Sequence, residues 1–350
     1  MEHWLITGGA GFIGSNFVKL IARESSPSIT VLDALTYAGN LQSIDSLIVG
    51  QRIKFCHGNV CDQQLVDRLF SENQITHVVH FAAESHVDRS ILGAEEFIRT
   101  NVLGTFSMLE VARRHWKAGD GHLFVHVSTD EVFGDLALDA PAASEFNSYA
   151  PSSPYSASKA ASDHLVRAWH RTYGLPTVIT NCSNNYGPWQ FPEKLIPLII
   201  CNALENKSLP VYGDGQNIRD WLHVDDHCEA IRLVLRRGKP GETYLIGGRN
   251  ERKNLDIVLA ICSIVDQLLG RAEGTTRQQI SFVSDRPGHD RRYSIDPSKI
   301  ERELGWRPAS NFNNSLLELV CWYRDNATWI DAIRSGSYRD YYNRQYESRA

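Results

Sequence analysis

Trp4-Leu5-Ile6-Thr7-Gly8-Gly9-Ala10-Gly11-Phe12-Ile13-Gly14 is the stretch on which the fold turns. A short apolar strand runs directly into a glycine-rich turn, and from Phe12 onward the apolar residues take helical spacing. Glycines at 8, 11 and 14 permit a tight turn, close approach of a pyrophosphate, and close packing of helix on strand. The helix start then offers unpaired N–H groups and the positive end of its dipole to an anion. A glycine-rich turn alone is weak evidence; its place between strand and helix gives it weight. The second strand ends at Asp33, about 20 residues further on, where a carboxylate suits the ribose hydroxyls of a dinucleotide. A carboxylate there repels a 2′-phosphate, so NAD is expected over NADP. The plainer role for Asp33 is a turn residue before Ala34-Leu35.

Working outward, strand and helix patterns alternate. Strands are expected near 3–7, 29–33, 53–56, 77–81, 122–128 and 177–182, and helices over 12–24, 93–117 and 156–173. Gly174 stands where a helix C-cap wants a glycine. This alternation predicts an α/β fold with a Rossmann-type, doubly wound parallel sheet. Near residue 185 the pattern changes. Asn184-Asn185-Tyr186-Gly187-Pro188 reads as loop, Asp225 as the cap of a helix to about Arg237, and 242–246 as another strand. Residues 1–184, with 221–248 returning to them, are expected to form the NAD-binding domain. Residues 185–220 and 249–350 are expected to form a smaller, mixed α/β domain that binds substrate. The tail from Ser335 to Ala350 is polar and rich in Tyr and Arg.

The bulk numbers exclude several classes. A chain of 350 residues has room for two domains. A net charge of −5 gives no reason to expect nucleic acid or an anionic membrane as partner. No apolar run is long enough for a bilayer. The chain opens on a strand without the basic and apolar regions of a signal peptide. Its seven cysteines are scattered and form no CxxC pair. Reduced thiols, no metal, and a cytoplasmic location are the expectations.

The chemistry sits at Ser128-Thr129-Asp130-Glu131, after the apolar run Leu123-Phe124-Val125-His126-Val127. In open α/β sheets, ligands lie beyond the carboxyl ends of the strands. Downstream, Tyr155 and Lys159 are one helical turn apart and share a face. An ammonium beside a phenol lowers the phenol's pKa and makes it a base near neutral pH. Taken singly, the acid pair is more often a solvated turn, and the Tyr–Lys pair a surface contact. Together with the glycine-rich turn they form an acid/base kit for a reaction that takes a hydride and moves a water.

These motifs resemble the extended short-chain dehydrogenases/reductases that act on nucleotide sugars, and among them the dTDP-glucose 4,6-dehydratase family. The resemblance covers nearly the whole chain. It rests on GGAGFIGSNFV at 8–18, HFAAESHVDRSI at 80–91, STDEVFGD at 128–135 and PYSASKAASDHLV at 154–166. It continues with NCSNNYGPWQFPEKLIPL at 181–198, VYGDGQNIRDWLHVDDHCEAI at 211–231 and DRPGHDRRYSID at 285–296. The Asp-Glu pair discriminates, because the epimerase relatives lack it.

The resemblance implies a hydro-lyase that oxidises C4 of the sugar, eliminates water across C5 and C6, and returns the hydride to C6. Tyr155 takes the 4-hydroxyl proton, Lys159 supports it, and Thr129 holds the 4-oxygen. Glu131 removes the C5 proton and Asp130 protonates the departing C6 hydroxyl. Two adjacent carboxyls in opposite roles need environments that push their pKa values apart. The implied cofactor contacts are Gly8, Gly11, Phe12, Ile13, Gly14, Asp33 and Thr36. Asn59, Val60, Ala82, Ala83, Thr100 and Asn185 complete them, with Tyr155 and Lys159. The implied substrate contacts are Ser85, Asn184, Lys194, Leu195 and Pro210, then Tyr212, Arg219, Asn254, Arg286 and His289. Arg219 and Arg286 suit a diphosphate, whose oxygens a guanidinium fork matches.

Two positions depart from the family pattern. Asn59 stands where an Asp usually meets the adenine amino group, and Phe133 replaces a Tyr. A homodimer is implied, with 93–117 and 156–173 pairing across a two-fold axis as a four-helix bundle. The rivals are a nucleotide-sugar 4-epimerase, a dehydratase for another nucleotide sugar, and, from another class, an idle NAD-binding regulator.

Overall fold

The computed structural model describes residues 2–24, 26–117 and 119–334; the polar tail from Ser335 lies outside them. Its frame is a seven-stranded sheet. The strands are β1 (His3–Thr7), β2 (Ser28–Asp33), β3 (Lys54–His57), β4 (His77–His80), β5 (Leu123–Thr129) and β6 (Thr177–Cys182), with β10 (Thr243–Ile246) at the edge. All pair in parallel, in the order β10-β6-β5-β4-β1-β2-β3. Buried on both faces, β5 and β6 are wholly apolar or internally bonded, as a covered parallel sheet requires. The strand order reverses between β1 and β4, and a crevice opens there beyond their carboxyl ends.

Three helices place the site. Helix α1 (Phe12–Ile21) starts at Gly11 with no side chain capping it, so its first N–H groups keep their directionality toward the crevice. The expected single helix over 93–117 is interrupted. Gly93 is extended (φ −164°), and Ile98–Gly104 is a widened π-turn before helix α2 (Thr105–His115). The widening has a cause. Asn101 turns inward, accepts the Glu84 N–H (2.8 Å), and donates to the Glu84 carbonyl (3.0 Å) and the Ser158 hydroxyl (2.8 Å). Such turns recur at functional sites. Helix α3 (Pro154–Tyr173) begins with a capping box at Ser153 and Ser156 and ends on Gly174 at φ +68°.

A second apolar core lies among the helices Leu195–Leu204, Asn254–Leu268 and Phe312–Asp325. Strands β7 (Asn184–Tyr186), β9 (Ile218–His223) and β11 (Glu251–Lys253) form a small sheet beside it, and β8 (Leu209–Tyr212) pairs with β12 (Ile280–Val283). Two local readings change. Asn184–Tyr186 is strand, not loop, because β9 supplies its ladder partners. The cap of helix α4 (Val224–Arg237) is His223, whose Nδ1 accepts the Asp225 N–H (3.3 Å), so Asp225 lies inside the first turn. All seven cysteines are free thiols. No helix among the described residues is long and apolar enough to cross a membrane.

Candidate active site

A cleft of about 300 Å³ lies at the crevice. Every residue expected at the dinucleotide lines it: Gly8, Gly11, Phe12, Ile13 and Gly14 from the turn, Asp33 at the end of β2 and Thr36 after it, Asn59 and Val60 after β3. Ala82 and Ala83 after β4, Thr100, Tyr155, Lys159 and Asn185 close the wall. The glycines are sterically fixed. Gly8 has φ +69°, and a Cβ there would lie 2.7 Å from the Ala82 nitrogen. A Cβ on Gly14 would lie 2.2 Å from the Gly8 carbonyl oxygen. Asp33 does both things asked of it: its carboxylate accepts N–H bonds from Leu35 (2.8 Å), as a turn residue, and from Ala10 (2.9 Å), tying down the glycine-rich turn. Burial pushes its pKa up, and those two bonds hold it back.

β5 ends at Thr129, and the backbone then turns into a 3₁₀ segment, Asp130–Phe133. That turn is what lets adjacent carboxyls face one cleft, since side chains on a continuing strand would alternate. The Thr129 hydroxyl caps the segment by accepting the Glu131 N–H (3.3 Å). Asp130 is buried, and burial drives its carboxyl well above the usual range; Glu131 and Asp220 push the same way. Burial raises Glu131 as well, but the cations of Arg286, Lys194 and Arg219 oppose it. Both carboxyls are thus raised, Asp130 more strongly, and the three cations act chiefly on Glu131.

Tyr155 is buried, and its phenol lies well above its ordinary value, by burial first and by Glu131 next. The lowering expected from Lys159 is not found; the group that draws the phenol down is Thr129, through a hydrogen bond. Burial draws Lys159 itself down to about 8, and its Nζ donates to the Val127 carbonyl (2.8 Å).

The expected sugar-nucleotide residues divide. Ser85, Thr129, Asn184 and Lys194 line the same cleft, and the Lys194 ammonium bridges to the Ser85 carbonyl (2.8 Å). Tyr212, Arg286 and His289 gather beyond it. Asp88 takes the Tyr212 hydroxyl (3.1 Å) and pairs with Arg286 (3.5 Å). The His289 ring stands edge-on to Tyr212, bonded to Asp285 (2.6 Å), and burial with Arg286 holds it neutral, near 4. Arg219 is buried, with its fork spent on the carbonyls of Ile218 (2.8 Å) and Asp290 (2.9 Å) and its plane over Tyr293. It acts on the acid pair as a fixed charge. Leu195 and Asn254 are the first residues of their helices and Pro210 lies inside β8; none of the three lines the cleft.

Residues 5–319 match the family model described as GDP-mannose 4,6 dehydratase. The chain is 52% identical to the dTDP-glucose 4,6-dehydratase of Salmonella typhimurium (strain LT2), over 99% of both chains. It is 56% identical to that of Xanthomonas campestris pv. campestris (strain B100), over 97% of this chain and 98% of the other. The chain belongs to the dTDP-glucose 4,6-dehydratase family. A solved dTDP-glucose 4,6-dehydratase from Streptomyces venezuelae, with NAD bound, superposes with a TM-score of 0.87 at 47% identity, covering 95% of this chain and 99% of that one.

Sequence reasoning missed part of this family site. Glu84, Gln190, Phe191 and Glu193 also line the cleft. Glu193 is buried, pairs with Arg89 (3.2 Å), and belongs to a patch in which Arg89 stacks on Tyr37 (3.8 Å). The signal was present in charged residues close to apolar segments, at the single Glu84 and at the adjacent Glu193-Lys194. Such residues read equally well as surface until their burial is seen.

Proposed function

We propose that this chain is an NAD-dependent hydro-lyase that dehydrates dTDP-glucose to its 4-keto-6-deoxy form. The observation that carries the reading is the Asp130–Glu131 pair in the turn after β5, in one cleft with Tyr155 and Lys159. The cleft fits NAD. The uncapped start of α1 and the cradle at Gly8 and Gly14 suit a pyrophosphate, Asp33 suits a ribose, and Phe12, Ile13, Val60, Ala82 and Ala83 give apolar walls. When bound, NAD supplies a hydride acceptor that is regenerated within each turnover.

The protein's own groups handle the protons. Tyr155 Oη receives the proton of the sugar 4-hydroxyl, with the Lys159 ammonium favouring the phenolate. The Thr129 hydroxyl holds the 4-oxygen. A ketone at C4 acidifies C5, and Glu131 takes that proton; the cations of Arg286, Lys194 and Arg219 offset part of the rise that burial imposes on it. Asp130, kept protonated by its surroundings, gives its proton to the C6 oxygen as water leaves. Lys194 and Arg286 neutralise the diphosphate, and the fixed charge of Arg219 adds to their field.

The seven-stranded unit holds the cofactor, and the unit built on the second core holds the nucleotide sugar, with the boundaries given above. The protein is cytoplasmic and dimeric. Leu92, Ile98, Leu103 and Phe106 are exposed, and Phe106 meets Trp169 of α3, which stands edge-on to the exposed Tyr173; this supports pairing of these helices as a four-helix bundle. Light scattering is expected to give twice the chain mass; a monomer at micromolar concentration would refute it. The test of function is incubation with dTDP-glucose. Mass spectrometry is expected to show loss of one water without accumulation of free NADH, and stoichiometric NADH would sink the dehydratase reading.

A further inference from the structure

Behind the catalytic residues lies a carboxylate that no step uses. Asp163 is fully buried on α3, one helical turn after Lys159. Its Oδ2 accepts hydrogen bonds from the Ser128 hydroxyl (3.0 Å), the Tyr149 hydroxyl (2.8 Å) and the Asn181 amide (3.1 Å). His126 Nε2 stands 3.2 Å from Oδ1. The Asn181 amide also donates to the Thr129 carbonyl (3.0 Å). One carboxylate thus ties together α3, the last turn of β5, β6 and the loop before α3.

We propose that Asp163 is a positioning residue for the dehydration: it anchors the end of β5 that carries Thr129, Asp130 and Glu131, and it supplies the counter-charge behind Lys159. The inference rests on the functional reading above, because it assigns Asp163 through the groups named there.

The argument is one of charge balance. A buried carboxylate is costly without a cation. Burial alone would raise Asp163, yet His126, Lys159 and Tyr149 together hold it below its ordinary value, so it is ionised. His126 is not the cation, because burial and Lys159 keep it neutral, near 4. Arg167 reaches the Tyr149 hydroxyl (2.8 Å) instead. The cation left is Lys159, one helical turn before Asp163 on α3; its Nζ is bonded to the Val127 carbonyl and acts on the carboxylate through space. Around Lys159 stand His80 from β4 and His126 from β5, both held neutral by burial, and the Cys182 thiol from β6, driven up by burial. Asp163 is the ionised acid that keeps the ammonium charged against its desolvation. A neutral Lys159 would leave the phenolate of Tyr155 unsupported.

The test is Asp163→Asn. An opposite charge nearby moves a pKa by about 1–3. Its removal is expected to bring the alkaline limb of the single-turnover oxidation toward acid, giving about tenfold greater loss at pH 8 than at pH 6. Equal fractional loss at both pH values would reduce Asp163 to packing and overturn the proposal. Tyr149→Phe covers the case in which the first variant does not fold. It removes a hydrogen bond that holds Asp163 ionised and is expected to move the limb the same way by a smaller amount; an unmoved limb overturns the proposal. Reductive methylation of Lys159, followed by peptide mass spectrometry across pH, reads the same change without substrate. Modification at lower pH in Asp163→Asn supports the proposal, and an unchanged profile overturns it. A wild-type protein inert toward dTDP-glucose would refute the functional reading alone, since the methylation profile still decides the role of Asp163.

Discussion

The two halves of the cleft are built by different means. The dinucleotide half is mostly backbone: a glycine turn at φ +69°, an uncapped helix start, and a strand-end carboxylate that bonds the turn itself. The sugar-nucleotide half is mostly side-chain charge. Lys194, Arg219 and Arg286 come from three separate segments, and Asp88 from a fourth holds Arg286 and Tyr212. Backbone sites depend on local geometry, so a few residues in a row specify them. Charge sites depend on long-range packing, and each member looks ordinary alone. The catalytic residues stand on the seam.

Tyr155→Phe tests that seam and carries the largest expected effect. It deletes the group that takes the 4-hydroxyl proton and leaves both walls standing. General-base catalysis is worth about 10²–10⁴-fold. Oxidation, read as absorbance of bound NADH in a single turnover, is expected to fall by about that factor, with nucleotide-sugar affinity nearly kept. A rate within about threefold of wild type would show that the base lies elsewhere and that the seam is misplaced.

Asp130→Asn and Glu131→Gln separate the second chemical step from the first. Both variants are expected to form bound NADH and then to stall before losing water. Normal dehydration in both would demote the pair to a solvated turn; loss of NADH formation in both would move them to binding. Asp130→Asn carries a second signature. The folded pKa of Asp130 is raised, so between its unfolded value and its folded one the native state holds a proton that the unfolded state has released. Stability then falls as pH rises through that window. The asparagine variant escapes this cost. It is expected to melt at or above wild type at pH 7, and to lose the advantage below about pH 4. A lower melting temperature at pH 7 would mean that Asp130 is ionised in the fold.

What the sequence revealed follows the same division. The glycine turn, Asp33 and the strand series were legible because each is a local pattern with one steric solution. The acid pair was legible as chemistry, but the unequal surroundings of its members were not, since Asp220 presses on Asp130 while Lys194 and Arg286 act on Glu131. Likewise the π-turn at 98–104 exists to seat Asn101 against the Glu84 backbone and Ser158, a contact between residues 57 positions apart. No local spacing announces it. The strand at Asn184–Tyr186 was hidden in the same way, because its partner β9 begins more than thirty residues later.

Arg286→Lys probes the charge half by itself. It keeps the positive charge that biases Glu131 and removes the fork and the buried Nε, which has no partner among the described residues. A bond between charged groups is worth about 1.5–3 kcal/mol. KM for dTDP-glucose is expected to rise about tenfold or more, with little change in kcat. A fall in kcat at constant KM would place Arg286 on the acid pair instead of on the diphosphate.

The smallest effect is expected at Asn59, at the outer end of the backbone half. Its amide oxygen already accepts the Cys61 N–H (2.9 Å), so the side chain is turned with its oxygen toward its own loop. An adenine amino group is a donor and needs an acceptor. A carboxylate has two equivalent oxygens, so Asn59→Asp keeps the Cys61 bond and frees the other oxygen for adenine. Bonds to an ionised acceptor are roughly twice as strong as neutral ones. Asn59 is solvent-exposed, however, and screening removes most of that gain. The outcome expected is about two- to fivefold tighter NAD binding by titration calorimetry, with kcat unchanged. The gain should be absent with NADH analogues that lack the adenine amino group. Weaker binding would mean that the added negative charge is felt by the pyrophosphate before the adenine, and that this end of the backbone half is governed by charge after all.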